Sequence, residues 1–139
     1  MLPPLPHAGA VILSAIVGMI VGGLWYSPSL FGTAWMQMTG IAPKRIQEAK
    51  KKGMGKSYAL QFIAILLMAF VLNAVIQWTD AQTGTAGAII AFWIWIGFIL
   101  PAHLSSVLWQ GKPWKLYWIN VIHYLVTMIL MGAILGGWG

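Results

Sequence analysis

Four apolar stretches, each of roughly 19–26 residues, take up most of this chain and leave only short connections between them. They run from about Ala8 to Tyr26, Ser57 to Trp78, Ala86 to Trp109 and Pro113 to Trp138. A helix rising about 1.5 Å per residue crosses a hydrocarbon core of about 30 Å in about 20 residues, so each stretch is long enough to span it. Backbone N–H and C=O groups find no water there, which leaves helices as the form these stretches take. With 60% hydrophobic and 7% charged residues over 139 positions, the chain also lacks the charged shell of a soluble domain. The expectation is one all-α domain, residues 1–139, an integral membrane bundle of four transmembrane helices in antiparallel hairpins.

The basic residues orient it. Lys44, Arg45, Lys50, Lys51, Lys52 and Lys56 lie in the loop after the first stretch, residues 36–56, and Lys112 and Lys115 follow the third. By the positive-inside rule both loops face the cytoplasm, and both termini and the Asp80 loop face outside. A net charge of +6 beside membrane spans points to anionic lipid headgroups as the partner rather than nucleic acid. No Lys or Arg precedes the first stretch, so it reads as a permanent span and not a secretory leader. The absence of Cys excludes disulfides and thiolate metal sites.

Trp25, Tyr26, Trp35, Tyr58, Trp109, Trp114, Tyr117 and Trp118 gather toward the basic loops, and Trp78 and Trp138 mark the opposite interface, as amphipathic rings at headgroup level do. Trp93 and Trp95 lie deeper, facing lipid or a neighbouring helix. Pro43 to Gly53 reads as a short surface helix with Pro in its first turn and Gly past its end. It either docks on anionic lipid or an acidic partner, or is an ordinary solvated loop.

Small residues recur at Ala10, Ser14, Gly18 and Gly22 along one face of the first span, and Gly132 and Gly136 form a second GxxxG in the fourth. Such stripes let helix backbones approach closely, within one protomer or across a subunit interface. In the third span Pro101 cannot donate to the carbonyl of Gly97 and crowds it, which predicts a kink or local widening.

The most suggestive polar pattern follows that proline. His103, Ser106 and Gln110 share one face of the third span, and Asn120, His123 and Thr127 repeat the spacing on the fourth. Folding the tight connection about Pro113 sets His103 level with His123 and Ser106 level with Asn120, with Gln61 of the second span nearby. Polar groups in hydrocarbon turn inward, so the two triads are expected to face each other. Three readings follow: hydrogen-bonding glue between helices, the lining of a hydrated path or small-molecule site with His relaying protons, or axial ligation of a haem. Two His without a third ligand make a poor zinc site.

No Asp or Glu lies inside a span, whereas cation- or proton-coupled carriers keep an intramembrane carboxylate. There is no GxSxG, HExxH or P-loop, so hydrolytic and phosphoryl-transfer chemistry has no support and catalytic residues are expected to be absent. The composition therefore suits a non-enzymatic protein that self-associates or serves a larger membrane complex. Its rivals are a small channel or carrier and a haem-binding subunit.

Leu24 to Trp35, with Trp25-Tyr26-Ser27-Pro28 at its core, Lys51 to Lys56, Leu108 to Leu116, Ile119-Asn120 and Met131 to Leu135 resemble a family of small bacterial four-span membrane proteins, domain of unknown function 1761. The resemblance spans nearly the whole chain after its Pro-rich start. It implies four spans in a bacterial inner membrane and assigns no activity. Its motifs also suggest that Trp25 to Pro28 packs with Trp109 to Trp114 as one aromatic and turn assembly.

Overall fold

The computed structural model describes residues 4–41 and 43–138, leaving aside the side chains of Pro43, Ile46, Ala49 and Lys50. Every regular element among these residues is helical. Four are long and apolar enough to cross a membrane: span 1, Ala8–Trp25; span 2, Gly55–Trp78; span 3, Gly84–Leu108; and span 4, Trp114–Gly137. Local chemistry sets the ends, which fall within two residues of the expected ones. Span 3 starts early because the Thr83 hydroxyl caps it, accepting from the Ala86 N–H at 3.1 Å. Span 1 stops at Trp25 because Ser27-Pro28 reverses the chain, with Phe31 N–H donating to the Trp25 carbonyl at 3.0 Å. Gly32 is required in this turn, since a Cβ there would strike the Tyr26 carbonyl.

Span 2 closes in a Schellman motif. Asp80 N–H bonds the Gln77 carbonyl and Ala81 N–H the Ile76 carbonyl, both at 3.1 Å, with Asp80 left-handed at φ 58°. The surface helix is present as Pro43–Lys52, followed by Gly53 at φ 90°. A second short helix, Gly32–Thr39, precedes it and was not expected from the sequence, because eight residues carry no clear periodicity.

Span 4 is the hub, with buried residues all along it from Leu116 to Gly136. Against span 3 it packs backbone to backbone. A Cβ on Gly87 would collide with the Gly132 carbonyl, one on Gly132 with the Gly87 carbonyl, and one on Gly136 with the Thr83 carbonyl. Against span 1 it meets the other stripe. Ala10, Ser14 and Gly18 are buried, and a Cβ on Gly18 would sit 2.9 Å from Ile65 of span 2 and 3.4 Å from Thr127 of span 4. Gly22 lies near the His123 ring. Most of both stripes is buried within the chain, and Gly22 is half-buried.

Span 3 is irregular where proline predicted. Trp95–Ile99 is a π-helical turn, with the Leu100 N–H reaching back to the Trp95 carbonyl. Short helices Leu100–Ala102 and Ser105–Leu108 follow, separated at His103-Leu104. Spans 2 and 3 scarcely touch. Between them lies an apolar groove of about 550 Å³ lined by Leu67, Val71, Ile94 and Phe98, with Met128 of span 4 at its base.

Candidate functional site

The polar residues of spans 3 and 4 do not meet as two facing triads. Span 4 turns Tyr117 and Val121 toward span 3, where the Tyr117 hydroxyl donates to the Leu100 carbonyl at 2.7 Å and Trp95 Nε1 donates to the Val121 carbonyl at 2.7 Å. Asn120, His123 and Thr127 lie on a different flank and turn to span 1. Asn120 Oδ1 accepts from the Tyr26 hydroxyl at 2.7 Å, the His123 ring lies 5.1 Å from that of Tyr26 and 6.2 Å from that of Trp25, and Thr127 meets Gly18. Spacing along two hairpin helices sets which residues are level but not the rotation of each helix about its axis, at about 100° per residue for 3.6 residues per turn. That rotation is the source of the error.

On span 3, His103 and Ser106 serve their own backbone. His103 Nδ1 donates to the Ile99 carbonyl at 3.0 Å, which places its proton on that nitrogen, and the Ser106 hydroxyl donates to the His103 carbonyl at 2.8 Å. Each of these carbonyls also accepts a backbone N–H, Ile99 from His103 and His103 from Ser106, both at 3.2 Å, so the side chains add a second bond within the irregular stretch. Gln110 is exposed in the connection, and Gln61 is exposed on span 2, so neither joins a polar centre. Both imidazoles pack on one phenol, His103 at 5.4 Å and His123 at 4.9 Å from the Tyr124 ring. Tyr124 lines the space that a macrocycle held by both rings needs, so the pair does not fit axial haem ligation. Among the described residues, no three His, Asp or Glu side chains gather at a metal-binding spacing.

The structure assembles instead a buried polar column along span 1. Ser14, Asn73, His123 and Thr127 are all buried, and Ser14 Oγ, Asn73 Nδ2, Thr127 Oγ1 and both His123 ring nitrogens have no protein partner. From the Asp80 end, the column passes Gln77, which donates to Asn73 Oδ1 at 3.3 Å, then Ser14, Thr127 beside Gly18, and His123 beside Gly22. It ends at the Tyr26–Asn120 bond next to the basic loops. The sequence does not pair Ser14 and Asn73 with His123 and Thr127, because an isolated Ser or Asn in an apolar helix carries no sign of which neighbour it meets.

The aromatic assembly is two groups rather than one. Trp25 packs on Phe31 at 4.7 Å and Tyr26 on Trp35 at 6.0 Å, and this group docks on span 4 through Trp25 Nε1, which donates to the Ile119 carbonyl at 2.9 Å. Trp114, Tyr117 and Trp118 form the other, while Trp109 stands apart, 84% exposed. Trp93 faces outward and Trp95 inward. Lys44, Arg45, Lys51, Lys52, Lys56 and Lys115 are exposed and Lys112 half-buried, whereas the side chain of Lys50 lies outside the described residues.

A family model described as a protein of unknown function, DUF1761, matches residues 9–136. The chain belongs to that family. The match covers all four spans and both loop helices, so the resemblance drawn from the aromatic and glycine motifs holds over the whole bundle. No curated protein and no solved structure matches the chain.

Proposed function

We propose that this is a non-enzymatic, multi-pass protein of the bacterial inner membrane that works by association with other transmembrane helices, its own copies or those of a larger complex. In this reading neighbouring spans are antiparallel, the basic loops lie in the cytoplasm against anionic lipid, and both termini lie outside. The confinement of all eight Lys and Arg to residues 44–56 and 112–115 supports the orientation. The open side between spans 2 and 3 supports association. Its apolar groove of about 550 Å³ has walls of the shape and chemistry to receive a helix side. Sizing of the purified protein in detergent, together with cross-linking of Leu67→Cys and Phe98→Cys variants, tests it. Oligomers or a co-purifying partner joined through those positions support the reading; a solitary monomer without cross-links overturns it.

The buried column favours a second reading, a narrow hydrated path past Ser14, Thr127 and His123. An unpaired buried polar group costs about 1–3 kcal/mol, and bridging waters relieve that cost. Proton flux into liposomes that falls about tenfold in His123→Leu, a rise of about 1.4 kcal/mol in the barrier, supports it. Flux equal to that of empty liposomes removes it.

A further inference from the structure

At the Asp80 end the bundle opens into a cavity of about 400 Å³ between His7, Gln77, Asp80, Gln82 and Trp138, over an apolar floor that includes Ile76. Asp80 occupies the left-handed position of the span 2 cap, φ 58°, which Gly fills without cost and Asn or Asp more readily than other residues. It also sets an acidic side chain against the negative end of the helix dipole, where acids are disfavoured. No Lys or Arg relieves it, because all eight lie in residues 44–56 and 112–115. Gln82 Nε2 donates to Asp80 Oδ1 at 3.2 Å, and among the described residues Oδ2 has no hydrogen-bond partner.

The rest of the cavity is arranged for a donor. Gln77 Nε2 is committed to the Leu5 carbonyl and to Asn73 Oδ1, each at 3.3 Å, so Oε1 is its remaining acceptor. The Trp138 indole is seated on Gly9, where a Cβ would lie 3.1 Å from its Cζ2. Its ring, 43% exposed, lines the cavity, and aromatic faces attract cations. One carboxylate with two amides falls short of the six or more oxygens that calcium gathers, and magnesium would need mostly water.

We propose that this mouth binds an organic ammonium ion, its nitrogen held by the Asp80 carboxylate and the Gln77 amide oxygen and its carbon groups against Trp138. The ion is either a free amine or the ammonium of a zwitterionic lipid headgroup. The test is thermal unfolding of the full chain, with self-association measured alongside so that failure of the association reading is seen separately. In lipid-free detergent, millimolar ethanolamine or methylammonium raises the melting midpoint of the wild type by several degrees over equal sodium chloride, as ligand binding to the folded state requires. A free-amine source predicts this shift. A headgroup source predicts it only in nanodiscs containing phosphatidylethanolamine and not in phosphatidylglycerol alone. Asp80→Asn keeps the cap and the Gln82 partner and unfolds at or above the wild-type midpoint without ammonium, but loses the shift in either arm; Trp138→Ala reduces it. No shift in either arm, or an equal shift in Asp80→Asn, overturns the proposal.

Discussion

Tyr117 illustrates how single side chains repair what the irregular third span leaves open. Leu104 N–H bonds the Pro101 carbonyl, so the Leu100 carbonyl takes the Tyr117 hydroxyl at 2.7 Å. Tyr117→Phe should therefore lower stability by about 1–2 kcal/mol in detergent unfolding, while Trp118→Phe, on an exposed ring, should change it little. The Tyr26–Asn120 bond joins residues 94 apart in the chain. A cycle of Tyr26→Phe and Asn120→Ala should return a coupling of about 0.6–1.7 kcal/mol, in the range of polar bonds between membrane helices. A coupling of zero would mean that the two side chains do not meet. The polar character of Asn120 was legible in the sequence, but its partner was not, because nothing local to Asn120 encodes Tyr26.

At the scale of elements, the tightest constraint is the glycine contact between spans 3 and 4. Gly132 has the Gly87 carbonyl where a side chain would go, and backbone cannot swing aside as a flexible side chain can. Gly132→Val should destabilise by about 1–3 kcal/mol or more, or prevent recovery of folded protein, whereas Gly97→Ala, with nothing within 4 Å, should be tolerated. Equal melting points for the two variants would count against this packing. The four spans, the helix Pro43–Lys52 and the disturbance before Pro101 were readable, since each follows from composition or from a missing N–H. The form of the disturbance, a π turn over Trp95–Ile99, depends on Trp95 and Tyr117 tying the widened segment to span 4.

For the whole molecule, orientation is the property most directly open to test, because the chain has no Cys to interfere with labelling. In intact cells an impermeant thiol reagent should modify Gln82→Cys and spare Lys51→Cys until the membrane is opened. The reverse pattern would invert the reading of the basic loops. The same experiment locates the Asp80 mouth, and with it the face from which an ammonium ion would reach the bundle.

Hydrophobic length and the positions of Gly and Pro determined by themselves that this chain makes four helices long and apolar enough to cross a membrane, with about the observed ends. These are sums over neighbouring residues, and the bilayer reads them segment by segment. Which side of each helix meets which neighbour was decided only in the assembled bundle. Every span is apolar nearly all round, so hydrophobicity does not choose a face in lipid; close backbone contact at Gly18, Gly87 and Gly132 does, and it carries Ser14, Asn73, His123 and Thr127 into the column along span 1.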